Sequence, residues 1–213
     1  MINNGFITFK MKSFSEIETT SKRASKAAGF SWGIAEEVGK GIKILELFGL
    51  AGVKNLNEYL NSKEVNQYEN LNLINENNQS DKYPYCPIIF GVSFLDQVKN
   101  IEKLNKIHLN KVAYPFLVLP FLSRSSEEIG KKILYKFDEY SFLLNFNLSL
   151  SSKKFSDECP VNANNIEISF LENKDNFKEQ DWNSLYKLSE KTFVEETDSL
   201  KIGAAGAGLT DND

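Results

Sequence analysis

Residues 13–48 read SFSEIETTSKRASKAAGFSWGIAEEVGKGIKILELF and predict two helices separated by a glycine turn. Ser13 and Glu16 have the spacing of a capping box. In that motif the serine oxygen accepts from the N3 amide and the glutamate reaches back to the cap, so it begins a helix. We expect this helix to end at Ala28, because Gly29 is suited to the left-handed conformation that terminates helices.

The first predicted helix has a stripe of small residues on its inner face. That face is expected to carry Phe14, Ile17, Ser21, Ala24 and Ala28. Residues three or four positions apart lie on the same side of a helix, and small ones allow a partner to approach closely.

The second predicted helix spans residues 32–48, with Ser31 as its cap. Apolar residues recur at helical spacing, namely Ile34, Val38, Ile42 and Leu45. Gly33, Gly39 and Gly41 interrupt the helix, and each costs up to about 1 kcal/mol relative to alanine. A compensating gain is needed, either from a helix packed on the glycine face or from a ligand close to the backbone. Packing is the favoured interpretation.

The rest of the chain predicts strands mixed with helices. The expected elements are a polar loop over 61–82, a strand over 86–91 that ends in a glycine turn, a short helix over 94–104, an irregular or edge strand over 112–122, a hairpin from 133–137 and 142–150, a strand over 166–171 and a helix over 181–193. The predicted class is α+β: an N-terminal helical hairpin packed on a mainly antiparallel sheet, with a closing helix and an extended C-terminal tail.

This order of elements predicts three parts. Residues 1–12 are expected to be a leader, residues 13–202 a single domain, and residues 203–213 a glycine-hinged acidic tail.

The composition is typical of a globular protein and argues against two classes of partner. The 213 residues are 41% hydrophobic and 25% charged, with a net charge of −4. No apolar run is long enough for a membrane span, and no basic stripe with interleaved aromatics favours nucleic acid. Residues 1–12 lack a signal peptide's features, and two cysteines, Cys86 and Cys159, fit a reducing cytoplasm.

The histidine and glycine patterns predict no metal and no cofactor. One histidine, His108, excludes a histidine-rich metal site. No glycine-rich phosphate loop of standard spacing is present, since the glycines at 203–208 follow a helix instead of preceding one. Cys86 has no identifiable base nearby, which argues against a nucleophile.

Four residues in the helical part are candidates for binding or chemistry. Arg23 and Arg124 are the two arginines of a lysine-rich chain, and a guanidinium binds anions in a bidentate manner. We expect Arg23 to pair with Glu36 across the hairpin, and Arg124, among serines at a strand end, to bind an anion. Glu36 is a candidate general base if burial raises its pKa. Trp32 is either core or a stacking surface for a ligand or partner.

The C-terminal tail is a candidate docking arm. Its glycines and alanines give reach, while Leu209, Thr210, Asp211 and Asp213 supply an apolar anchor, acceptors and negative charge. Captured termini are an established recognition mode. A frayed end and a contribution to cation binding are the alternatives.

Three stretches together resemble a bacterial family of unknown function, number 3726. They are residues 29–39, the segment Cys86-Pro-Ile with Gly91 and Asp96, and residues 205–213. The resemblance implies a soluble, uncharacterised protein and no particular activity. Residues 14–60 also look like the opening helices of the malate and L-lactate dehydrogenase family unrelated to Rossmann enzymes, but the Ser-His-Gly that follows those helices there is absent here.

Two functions remain open. The favoured hypothesis is an accessory or assembly protein whose tail docks into a protein partner or a sister subunit. The alternative is a small-molecule enzyme in which Arg23 and Arg124 bind an anionic substrate, Glu36 acts as base and the tail serves as lid.

Overall fold

A computed structural model describes residues 11–63, 67–145, 150–152 and 159–193. The chain divides into two compact units, residues 1–173 and 174–213. Most of the predicted leader and all of the predicted tail lie outside the described residues, and the predicted domain boundaries stay predictions.

The N-terminal helical hairpin is confirmed. It consists of α1 (Phe14–Ala27) and α2 (Trp32–Leu47), followed by α3 (Gly52–Ser62). The capping box is complete, because Ser13 Oγ accepts from the Glu16 amide at 3.2 Å and the Glu16 carboxylate accepts from the Ser13 amide at 2.9 Å. Gly29 has φ +96°, a conformation that glycine adopts without strain.

The buried face of α1 differs from the predicted stripe. Ser21 and Ser25 are buried, whereas Phe14 and Ala24 are exposed. The reason is the close approach at Gly39, where a Cβ would lie 2.7 Å from the Glu18 carbonyl oxygen. This contact turns the side of α1 that carries Glu18, Ser21 and Ser25 toward α2.

The glycines of α2 have two different roles. The absence of a side chain at Gly39 allows α1 to pack closely. Gly41 likewise allows Pro120 to approach, since a Cβ at position 41 would lie 3.2 Å from the Pro120 Cβ. Packing is therefore confirmed for these two positions. Gly33 has open space around it, so packing does not explain the third glycine.

Residues 86–91 form a helix, and the predicted strand there was wrong. The helix α4 (Pro87–Ile101) has Cys86 as its cap and a proline in its first turn, where the missing N–H costs nothing. Its apolar run is buried on most sides, so it lacks the periodicity that distinguishes a helix from a strand. Gly91 lies against the ring of Phe121, with which a Cβ would collide.

The predicted strand over 112–122 was also wrong. The strand β2 (Lys106–Ala113) ends early, and a 3-10 turn (Pro115–Val118) leads into α5 (Leu119–Ile129). Both prolines lie in the first turns of these helical segments. They begin helices here, because a first-turn proline loses no intrahelical hydrogen bond.

The strands form one sheet in the order β1-β2-β6-β3-β4-β5. The strands other than β2 are β1 (Asn77–Asn78), β3 (Lys132–Phe137), β4 (Tyr140–Leu144), β5 (Leu150–Ser152) and β6 (Asn162–Leu171). All neighbours are antiparallel except the parallel pair β1 and β2. The α+β class is therefore confirmed. Phe94 of α4 stacks on Phe170 of β6 with ring centroids 6.0 Å apart, which joins the helices to the sheet.

The second unit contains the predicted closing helix, α6 (Glu179–Ser189). Its large apolar side chains, Trp182, Leu185, Tyr186 and Leu188, are all exposed. The Trp182 ring stacks on Phe177, with centroids 5.6 Å apart. None of the helices in the described ranges combines the length and apolarity that a membrane crossing requires.

Candidate functional site

A cleft of about 580 Å³ lies in the first unit, where the α1–α2 turn meets α3 and the start of α4. It is lined by Gly29, Phe30, Ser31, Ile34, Tyr59, Lys63, Gln67, Tyr68, Asn70, Tyr83, Cys86 and Ile89. Its volume and mixture of apolar and polar groups are typical of small-molecule sites.

Two helices begin at this cleft because of their capping residues. Ser31 Oγ accepts from the Ile34 amide at 3.3 Å and starts α2. Cys86 Sγ accepts from the Ile89 amide at 3.4 Å and starts α4. The N-terminus of a helix carries partial positive charge. Both helix starts therefore make the cleft electropositive.

Lys63 adds a full positive charge to the cleft. Its ammonium donates to the Ala28 carbonyl at 3.1 Å and lies 4.0 Å from the centroid of the Phe30 ring. Among the residues that the structure describes, the lining contains no aspartate or glutamate. Within the described ranges, no carboxylate forms an ion pair with Lys63, so no described acidic side chain neutralises its charge at the cleft.

Tyr59 and Cys86 form a buried pair at the inner wall. The Tyr59 hydroxyl and Cys86 Sγ are 2.9 Å apart. Burial raises the pKa of the Cys86 thiol, although the hydrogen bond with Tyr59, the amides of Ile89 and Ile88 and the charge of Lys63 oppose the rise. Burial also raises the pKa of Tyr59. Both groups are therefore neutral near pH 7, and Cys86 is a helix cap instead of a thiolate.

Two tyrosines reach the cleft from the connection between α3 and α4. The Tyr68 hydroxyl is 2.7 Å from Ser62 Oγ. The Glu69 carboxylate accepts from the amides of Lys82 and Tyr83 at 3.0 and 2.9 Å. These two hydrogen bonds lower the pKa of Glu69 and fasten the segment that carries Tyr83. Part of the predicted loop over 61–82 is thus anchored at the site.

The predicted ion pair between Arg23 and Glu36 does not form. Arg23 is exposed, and Glu36 pairs with Lys22 at 3.0 Å and Lys40 at 3.1 Å. Adjacent helix positions point about 100° apart, and the close approach at Gly39 selects Lys22. The hydrogen bonds from both lysines lower the pKa of Glu36, whereas the proposed general base requires a raised pKa.

Arg124 lies in α5 and not at a strand end. Its guanidinium pairs with the Glu37 carboxylate of α2, and its side chain is 31% exposed. This arginine therefore joins two helices, and its charge is already neutralised. Trp32, at the first position of α2, is 58% exposed, with the Lys26 ammonium 5.5 Å from its ring centroid.

The structure does not bring the predicted site residues together. Arg23, Trp32, Glu36 and Arg124 are absent from the cleft lining. The predicted tail residues Leu209, Thr210, Asp211 and Asp213 lie outside the described residues. No group of three metal-ligating side chains is found in the part of the chain that the structure describes.

Sequence reasoning missed the residues that build the cleft. The usable signal was Cys86-Pro87, because a small polar residue before proline begins a helix. Lys63 and Tyr68 carry no local signal, since their role depends on the distant Ala28 carbonyl and the Ser62 and Tyr59 side chains.

A family model described as "Protein of unknown function (DUF3726)" matches residues 12–85. Over this segment the chain resembles DUF3726. The predicted resemblance is confirmed there, and ten of the twelve cleft-lining residues fall within the DUF3726 match. The family description assigns no activity.

Two further comparisons add little. The solved structure of malate dehydrogenase from Pyrococcus horikoshii OT3 is 10% identical with a TM-score of 0.45; the match covers 71% of this chain and 52% of that one. The chain thus spans about half the length of that enzyme, and a likeness this slight carries no functional argument. No curated protein matches the sequence.

Proposed function

We propose that this protein binds a small anionic molecule in the cleft. The observation that carries the proposal is Lys63, which lines a cavity of about 580 Å³ whose described lining residues include no aspartate or glutamate. The starts of α2 and α4 add positive potential at the same place. A carboxylate or phosphate group would satisfy both.

The position of Lys63 supports binding over a merely solvated charge. The Ala28 carbonyl and the Phe30 ring hold the ammonium in place, so less rotamer freedom is lost when an anion arrives. A hydrogen bond to a charged partner is about twice as strong as a neutral one. The proposal is a binding function, since Cys86 and Tyr59 are both neutral near pH 7.

A matched pair of probes tests the charge. We expect 3-cyclohexylpropionate to shift the amide resonances of cleft residues in the ¹⁵N-labelled protein. The neutral 3-cyclohexylpropanamide should bind at least about tenfold more weakly. Equal affinity for the two probes would show that charge is irrelevant. No shift at the cleft with any probe would end the binding proposal.

A matched pair of variants tests the residue. Lys63→Met removes the ammonium and keeps most of the apolar stem, so it should weaken binding of 3-cyclohexylpropionate about tenfold. Lys54→Met is the control, because Lys54 is an exposed lysine of α3, the helix that ends at Lys63, and lies outside the cleft lining. Equal loss in both variants would contradict a specific role for Lys63.

An accessory or assembly role is the second candidate. It is favoured by the exposed apolar residues of α6, which monomeric surfaces seldom cluster. Cys86 and Cys159 are not joined in a disulfide, which supports the cytoplasm as location.

Deletion of residues 174–213, followed by native mass spectrometry, tests this role. The full chain should show a dimer or a defined co-purifying protein that the truncated chain lacks, and Trp182→Ser with Leu185→Ser should reproduce the loss. An unaccompanied monomer in both forms would contradict the accessory role.

A further inference from the structure

We infer that the anionic ligand of the cleft carries a planar aromatic ring, so that its class is an aromatic carboxylate or phosphate; this inference rests on the proposed function. Two half-buried tyrosines, Tyr68 and Tyr83, line the same cleft as Lys63. A ligand that reaches the ammonium with its anionic group therefore has phenol rings beside its remaining atoms.

The Tyr68 ring is held in place from two sides. Its hydroxyl is hydrogen-bonded to Ser62 Oγ at 2.7 Å, and its ring centroid lies 5.3 Å from that of Tyr59 at an interplanar angle of 44°. Tyr59 in turn contacts Tyr114 edge-on at 5.7 Å. The aromatic cluster thus runs from the core to the cleft, and a planar ligand ring would extend it.

The backbone that carries Tyr83 is anchored independently of Tyr68. The Tyr83 amide donates to the Glu69 carboxylate at 2.9 Å, and the Lys82 ammonium lies 4.8 Å from the centroid of the Tyr83 ring. The Tyr68 ring and the Tyr83 backbone are therefore positioned before a ligand arrives. A side chain that is already positioned loses less conformational entropy when a ligand binds. This favours the tyrosines as a surface on which a ligand ring stacks.

The two tyrosines should distinguish an aromatic ligand ring from an aliphatic ring by its planar shape and its π-electrons. Aromatic pairs gain from offset or edge-to-face geometry beyond the area that they bury. An aliphatic ring of similar volume gains the burial alone. We expect an aromatic acid to bind about three- to tenfold more tightly than its saturated analogue.

The test compares 3-phenylpropionate with 3-cyclohexylpropionate on the full chain, by NMR titration of the ¹⁵N-labelled protein. The aromatic acid should bind about three- to tenfold more tightly. Equal affinity, or preference for the cyclohexyl acid, would overturn the aromatic inference while the proposed anion binding stands. Absence of shifts with both acids would overturn both.

Ring-deleting variants assign the preference to the cleft. Tyr68→Leu and Tyr83→Leu should each reduce the preference for 3-phenylpropionate, whereas Tyr68→Phe, which keeps the ring, should retain it. Tyr186→Leu, on α6, is the control. Circular dichroism reports folding, and a preference unchanged in folded Tyr68→Leu and Tyr83→Leu would refute the assignment.

Discussion

The Tyr59 hydroxyl lies 2.9 Å from Cys86 Sγ and joins the last turn of α3 to the cap of α4. The same sulfur accepts from the Ile89 amide. One buried thiol therefore caps a helix and ties it to its neighbour at the inner wall of the cleft. Lys63 follows Tyr59 by one helical turn. The contact between Tyr59 and Cys86 therefore also helps to position Lys63 at the cleft.

Loss of this contact should lower the free energy of unfolding. Tyr59→Phe removes one buried hydrogen bond, which costs about 1 kcal/mol. Cys86→Ala removes the cap as well and should cost about 1–2 kcal/mol, whereas Cys86→Ser keeps a capping oxygen and should cost less. Urea unfolding followed by circular dichroism measures these differences.

The exposed Tyr186 supplies the control for this set, since Tyr186→Phe should leave stability unchanged. A double-mutant cycle on Tyr59→Phe and Cys86→Ala isolates the coupling. Strict additivity would mean that the contact contributes nothing.

Alkaline pH should destabilise the protein through the same pair. The ordinary pKa values of cysteine and tyrosine are 9.0 and 10.0, and burial raises both in the folded chain. Above about pH 9 the unfolded thiol loses its proton while the folded one keeps it, so the folded state binds more protons and stability falls as pH rises. Cys86→Ser should flatten this fall by up to about 1.4 kcal/mol per pH unit. Urea unfolding at pH 8, 9 and 10 under reducing conditions checks it; an unchanged slope in the variant would contradict the assignment.

Alanine substitutions at two glycines of α2 should have opposite effects on the free energy of unfolding. Gly39→Ala places a Cβ 2.7 Å from the Glu18 carbonyl oxygen, and this overpacking should destabilise by about 1–2 kcal/mol despite the better helix propensity. Gly33→Ala meets open space and should stabilise by up to about 1 kcal/mol. Thermal unfolding compares the pair, and a stabilised Gly39→Ala would refute the close packing of α1 on α2.

The ion pair of Glu37 and Arg124 should matter more than its exposed neighbour. Glu37→Gln leaves the partly buried guanidinium without its carboxylate and should cost about 1–2 kcal/mol. Glu36→Gln is the matched control and should cost less, because its lysine pairs are half-exposed. Chemical unfolding measures both; an equal effect would indicate that Arg124 does not join α2 to α5.

Prediction from sequence succeeded where the physics is local. The capping box at Ser13 and the left-handed Gly29 concern atoms within four residues, and both were predicted correctly. The hairpin of β3 and β4 was also predicted, although its second strand ends at Leu144 and not at Leu150. Prediction failed at residues 86–91 and 112–122, because a fully buried apolar run has no exposed side to reveal its period.

The sequence by itself determined the helical hairpin, the caps Ser13 and Ser31 and the α+β class, because those features follow from neighbouring residues and from the balance of polar and apolar side chains. Only the tertiary structure decided that Lys22 instead of Arg23 pairs with Glu36, that Arg124 pairs with Glu37, and that Lys63 lines the cleft with Tyr59 and Cys86. These pairings depend on helix phase and on contacts between residues far apart in the chain. A rotation of one residue, about 100°, exchanges one partner for another.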